Sequence, residues 1–139
     1  MTTSRASDII EVRIYYQDTD CGGVVYYGNY LRYFEQGRTQ WLEARGSSVK
    51  AFMDAGILFA AVHAELNYRS PARYGETLTI ATRLAEVRTA SFTFAHEIRD
   101  KASGRLVVEG SARLVAVDTQ GKLVKLPKDL RERLAKGLA

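Results

Sequence analysis

The hydrophobic period changes twice along this chain, and that change limits the folds open to it. Ile10, Val12, Ile14 and Tyr16 alternate with Glu11, Arg13 and Tyr15, the period-two pattern of a half-buried strand. Over about 27–45 the spacing becomes helical: Leu31, Phe34, Trp41 and Leu42, with Arg38 one turn between, fall on one face, and Gly46 follows as a stop. Gly37 stands inside this helix, costing ~1 kcal/mol of propensity against Ala, so it is expected where another element comes close. Beyond Ile57 the period returns to two. Val62, Ala64, Leu66 and Tyr68 alternate with His63, Glu65, Asn67 and Arg69, and three more apolar series follow through Leu78–Leu84, Phe92–Ile98 and Leu106–Leu114. The breaks VRTA, DKASG and DTQG have hairpin turn chemistry.

A strand, one long helix and four strands joined by short turns cannot form a doubly wound parallel sheet, because parallel neighbours need long crossovers. The order predicts an α+β fold: one curved antiparallel sheet wrapped around a long central helix. SSVKAFMDAG reads as a link with room for a short helix, and LPKDLRERLAKGLA as a C-terminal helix with Pro127 near its start. At 139 residues the whole chain, 1–139, is expected to be a single domain.

Composition narrows the function classes. With one cysteine, Cys21, and two histidines on separate strands, no metal site has credible ligand spacing, and neither a metal nor a cofactor is expected. No apolar run reaches the ~20 residues of a membrane span. The start, MTTSRASDIIEV, lacks an apolar signal core, so a cytoplasmic location is expected. The net charge of +4 suits an anionic ligand. A nucleic-acid role ranks last, because exposed basic strands carry few aromatic residues.

The chemistry concentrates in YYQDTDCGGVVYYGNYLRYFEQ, residues 15–36. Two carboxylates, Asp18 and Asp20, precede the pair Gly22–Gly23 and the start of the helix. A helix start offers unpaired N–H groups that can polarise a carbonyl, and a nearby carboxylate can attack it or activate water. Taken alone, each residue also has a structural reading. Asp18 suits an Asx turn or cap, Asn29 suits a cap or a tie to the Asp loop, and Tyr26 and Tyr27 suit packing at the helix start. His96, on the face of Phe92, Phe94 and Ile98, reads as a satisfied core histidine, and His63 as exposed or at an interface.

DTDCGGVVYYGNYLRYFEQGRTQWL, followed by YRSPARYGETLTI and RTASFTF in the same order, resembles the 4-hydroxybenzoyl-CoA thioesterase family, in its YbgC-type, Tol-Pal-associated branch. The likeness runs from about residue 10 to about residue 118. It implies a hotdog fold, with sheets pairing between subunits into a homodimer or homotetramer. It also implies an acyl-CoA thioesterase that releases free acid and CoA, with Asp20 as nucleophile or general base and the backbone N–H of Tyr27 polarising the carbonyl. Many members of this branch carry His in place of Tyr27, which leaves the backbone role intact, and Ala in place of Gly37.

The same resemblance makes Gly22, Gly23 and Val25 substrate-binding. It places Phe59 over the acyl group, from its own or the other subunit, and Arg88 and Ser91 at the CoA phosphates. Arg69 and Arg73 read better as surface charges. The acyl group is short-chain, long-chain or aromatic, and its carrier is coenzyme A or an acyl carrier protein. A hydratase would need a histidine base in the loop, and none is there. The remaining alternative is a non-enzymatic module that binds acyl thioesters or an acyl carrier protein.

Overall fold

The computed structural model describes residues 8–138. Strand β1 (Asp8–Arg13) leads through a 3-10 turn (Tyr16–Asp18) to helix α1 (Gly28–Ala44) and the short helix α2 (Val49–Asp54). Four long strands follow: β2 (Leu58–Tyr68), β3 (Thr77–Val87), β4 (Ser91–Asp100) and β5 (Leu106–Val117). A two-residue strand β6 (Leu123–Val124) and helix α3 (Lys128–Leu138) complete the chain. The strands form one antiparallel sheet in the order β1-β3-β4-β5-β2, with β6 on the end of β5.

The α+β architecture expected from the periods is therefore present. Three details differ. The first strand stops at Arg13 rather than continuing to Tyr16, because the backbone turns at Tyr16–Asp18 and leaves Tyr16 exposed. After the DTQG turn the chain adds a fifth strand following α1, Leu123–Val124, too short to show a period. Leu31, at core spacing on α1, is 45% exposed.

The buried face of α1 is Tyr30, Tyr33, Phe34, Gly37, Trp41 and Leu42. It lies on the sheet residues Leu78, Ile80, Leu84, Phe92, Phe94 and Ile98, which alternate with more exposed neighbours along β3 and β4. The closest approach is at Gly37. A Cβ there would collide with Thr82 Oγ1 and press on Ile80 Cγ2 at 3.1 Å, so the helix sits at this height because that residue has no side chain. Near its far end, α3 closes over Trp41, with Leu130 and Leu134 fully buried.

Beneath Gly37, His96 is buried and stacked on Phe34, with centroids 4.2 Å apart. Its Nδ1 lies 2.9 Å from Thr82 Oγ1, while Nε2 has no hydrogen-bond partner among the described residues. This is a core histidine, but only half satisfied. Burial, reinforced by the charge of Arg38, pulls its pKa from 6.5 down to about 3. The folded state thus holds His96 neutral where the unfolded chain would protonate it. Stability from this site is complete above pH ~6.5 and drains away as pH falls toward 3, at ~1.4 kcal/mol per pH unit. Urea denaturation at pH 7.5 and 5.0 is expected to show a loss of ~2 kcal/mol from this group in the wild-type chain. His96→Phe should lack that increment; equal pH dependence in both proteins would show that His96 does not set it.

Candidate functional site

Residues 15–27 form a loop held from inside by Asp18. Its Oδ2 accepts the N–H of Tyr15 at 2.8 Å, and its carbonyl accepts the N–H of Tyr26 at 3.0 Å and Asn29 Nδ2 at 3.1 Å. Asn29 belongs to the first turn of α1, so its side chain ties the helix start to the loop. Of its two sequence readings, the tie to the Asp loop is the one realised. Ladder-like contacts add support from 72–76. Val25 N–H donates to the Ala72 carbonyl at 2.8 Å, Tyr74 N–H to Gly23 at 3.2 Å, and Ile14 N–H to Glu76 at 2.9 Å. The Val25 side chain is buried with Ile14 and Tyr30, so it anchors the loop in the core.

Asp20 sits at the tip of this frame and is exposed. Its N–H donates to Val24 O at 2.9 Å, its carbonyl accepts from Gly23 at 3.1 Å, and its Oδ1 accepts from Gly22 N–H at 2.8 Å. Gly23 has φ +80°, a conformation that side-chain-bearing residues rarely adopt. Carboxylate oxygen Oδ2 of Asp20 makes no hydrogen bond among the described residues.

The start of α1 supplies the complementary group. Asn29 and Tyr30 donate their N–H groups to Tyr26 O and Tyr27 O, whereas those of Tyr27 and Gly28 find no acceptor among the described residues. Two aligned donors at the positive end of a 17-residue helix are suited to a developing oxyanion. Tyr27 was identified by its resemblance; Gly28 was missed, although a helix start with unpaired donors was the signal for it. The Tyr27 ring, 69% exposed, lies 5.5 Å from that of Tyr68, which also meets Tyr30 at 5.9 Å. Tyr68 too was missed, because alternation along β2 marked it only as core. Below the loop the Tyr33 hydroxyl is buried with no hydrogen-bond partner among the described residues, and burial, with the charge of Asp18 adding, pushes its pKa up to about 12.

The chain thus brings Asp20, Gly22, Gly23, Val25 and Tyr27 into one loop. It does not bring Phe59, Arg88 or Ser91 to them. Phe59 is half-buried between Phe52 and Phe92, at 5.5 Å from each ring. Arg88 is exposed and paired with Glu86 at 3.1 Å, and its N–H closes the β3–β4 turn on Ser91 O. Ser91 faces Val115, which faces Ala60, so these three residues share one end of the sheet. Arg13, just before the loop, pairs with Thr77 at the opposite end of β3. The 11 residues of β3 separate the two ends by roughly 35 Å at about 3.3 Å per residue.

Among the described residues no group of three or more His, Cys, Asp or Glu could hold a metal, and no helix is long and apolar enough to cross a membrane.

Comparison with known proteins gives a consistent picture. Residues 14–134 match the profile of the thioesterase-like superfamily. The acyl-CoA thioester hydrolase YbgC of Escherichia coli O157:H7 is 35% identical over 120 residues, 86% of this chain and 89% of the relative. A DHNA-CoA thioesterase from Staphylococcus aureus superposes with a TM-score of 0.90 at 26% identity, covering 94% of this chain and 90% of that one. A 4-hydroxybenzoyl-CoA thioesterase mutant complexed with 4-hydroxybenzoyl-CoA shares the fold, with a TM-score of 0.84, 24% identity and coverage of 94% and 99%.

Asn29→Ala should cost about 1 kcal/mol and speed hydrogen exchange at the Tyr26 amide relative to core amides such as Ile80. Unchanged exchange at Tyr26 would show that the Asn29 tie does not hold the loop.

Proposed function

Because the chain belongs to the thioesterase-like superfamily, we propose that it is an acyl-CoA thioesterase whose reacting groups are the free carboxylate oxygen of Asp20 and the N–H groups that open α1. One observation carries this assignment: an exposed, half-liganded carboxylate and two unpaired helix-start donors lie on the same rigid loop. The thioester carbonyl oxygen accepts from Tyr27 N–H, with Gly28 N–H beside it. A donor of this kind is typically worth ~3–4 kcal/mol in the transition state, because its dipole is already aligned. In one route Asp20 attacks the carbonyl carbon, CoA leaves as thiolate, and water cleaves the resulting anhydride. In the other Asp20 takes a proton from the water that attacks directly. Both end in free acid and CoA. Asp18, committed to Tyr15 and backing the loop, is a positioning residue.

The placement of the remaining residues favours a shared site. Strand β2 is an edge, exposed along most of its length, and an exposed edge of this length requires a cover. A second copy paired antiparallel along the whole of β2 would set Tyr68 opposite the partner's Leu58. The Asp20 loop of one subunit would then meet the partner's Phe59, with the partner's Arg88 and Ser91 at the cleft mouth for the CoA phosphates. A dimer is therefore the smallest complete enzyme, and a tetramer is compatible with it. The lone cysteine suits a reducing cytoplasm.

Thiol release from a panel of acyl-CoAs and acyl carrier protein thioesters tests the reading. Asp20→Asn should lower kcat by about three orders of magnitude, ~4 kcal/mol, with the fold intact. A larger loss in Asp18→Asn than in Asp20→Asn would reverse the two assignments. Arg88→Ala should raise KM for acyl-CoA far more than it lowers kcat, since phosphate contacts serve ground and transition states alike. An unchanged KM, or full activity in a monomer, would refute the shared site.

A further inference from the structure

Helix α1 carries two charged residues, Glu35 and Arg38, on a face that the loop chemistry does not use. Leu31, Glu35, Arg38 and Leu42 follow one another at steps of four, three and four residues and therefore share a face. Arg38 and Glu35 border a pocket of about 150 Å³ whose other walls include Leu42, Met53, Phe59, Phe92 and Leu114. Arg38 is half-buried, yet it makes no hydrogen bond and no ion pair among the described residues. Arg45, seven residues on, shows the contrast: it holds both oxygens of Asp8, at 2.7 and 3.1 Å. Glu35 lines the same pocket and acts on Arg38 through its charge, but its carboxylate accepts the hydroxyl of Thr39 and makes no ion pair with the guanidinium among the described residues. Burial depresses the Arg38 pKa, with Glu35 opposing, but a guanidinium stays charged in proteins.

A charged fork held partly out of water with no acceptor is unfavourable until one arrives. The pocket volume limits what can bring it, since an apolar cavity of ~150 Å³ takes one benzene-sized body. A neutral acyl tail of that size would satisfy the apolar walls and leave the guanidinium unpaired. A carboxylate would accept two parallel N–H groups from it.

We infer that Arg38 is a specificity-determining residue, and that the pocket receives a compact acyl group of about six heavy atoms whose far end is a carboxylate. This rests on the thioesterase reading: the pocket holds Phe59 and lies at the sheet end that a two-fold copy would bring to the Asp20 loop. The acyl group then runs from the helix-start donors of one subunit toward the partner's Arg38, with the carboxylate terminating on the guanidinium.

The test compares glutaryl-CoA with hexanoyl-CoA, which are similar in length and differ in the terminal charge. The wild-type enzyme should have the lower KM for glutaryl-CoA. Arg38→Met should raise that KM by about ten- to a hundredfold and lower the KM for hexanoyl-CoA, reversing the preference. Light scattering should give the same oligomeric mass for both proteins. A wild-type preference for hexanoyl-CoA would overturn the inference and leave the thioesterase reading standing. So would an Arg38→Met variant that loses both substrates equally and falls apart into monomers, since Arg38 would then be serving the subunit contact. Hydrolysis of no acyl-CoA at all by the wild-type enzyme would remove the thioesterase reading itself, and this inference with it.

Discussion

The seat of α1 on the sheet at Gly37 sets the geometry of the molecule. There the helix backbone meets Thr82 and Ile80 without an intervening side chain. This close approach lets Phe34 stack on His96 and keeps Tyr30, Tyr33 and Trp41 in contact with the sheet. Tilting or lifting the helix would separate these layers, and interiors packed to crystal density do not absorb such gaps cheaply. The cost is local: a helix-weakening glycine and a buried imidazole with one nitrogen unsatisfied.

A fixed helix gives a fixed helix start, and the Asp loop is fastened to that start rather than to the sheet alone. Asn29 reaches back to Asp18, Asp18 receives Tyr15 and Tyr26, and Asp20 projects beyond them with one oxygen free. The two carboxylates of the D-x-D pair thus have opposite environments. Both oxygens of the Asp18 carboxylate are engaged within the loop, by Tyr15 N–H and Asn29 Nδ2, whereas one oxygen of Asp20 is left available. In the proposed reaction, groups held on such a frame would need little reorganisation when charge develops at the carbonyl.

The same rigidity leaves an unfinished edge. β2 is long, exposed and unpaired on one side, and the sheet ends that carry Asp20 and Phe59 lie a strand length apart. A closed barrel or a covering helix would remove the edge, but α1 is occupied under β3 and β4 and α3 near Trp41. The dimer proposed above would meet both demands at once, pairing the edge and bringing the two half-sites together.

Sequence alone determined the main elements and their order, because periods of two and 3.6 report directly which face of a segment is buried, as in Phe92, Phe94, His96 and Ile98 along β4. It also singled out the loop proposed to carry the chemistry, since two carboxylates, paired glycines and a helix start fall together there. It marked Gly37 as a place of close approach without saying to what. Only the tertiary structure decided that Thr82 and His96 lie beneath Gly37, that Asn29 secures the loop rather than capping the helix, and that Gly28 adds a second free donor. It alone shows that Arg38 borders a largely apolar pocket and makes no ion pair among the described residues, and that Tyr68 sits beside Tyr27. The physical reason is the range of the forces involved. Period and turn chemistry act between residues a few positions apart, whereas a hydrogen-bond partner, a contact or a missing counter-ion depends on segments dozens of residues away that meet only once the sheet has closed on the helix.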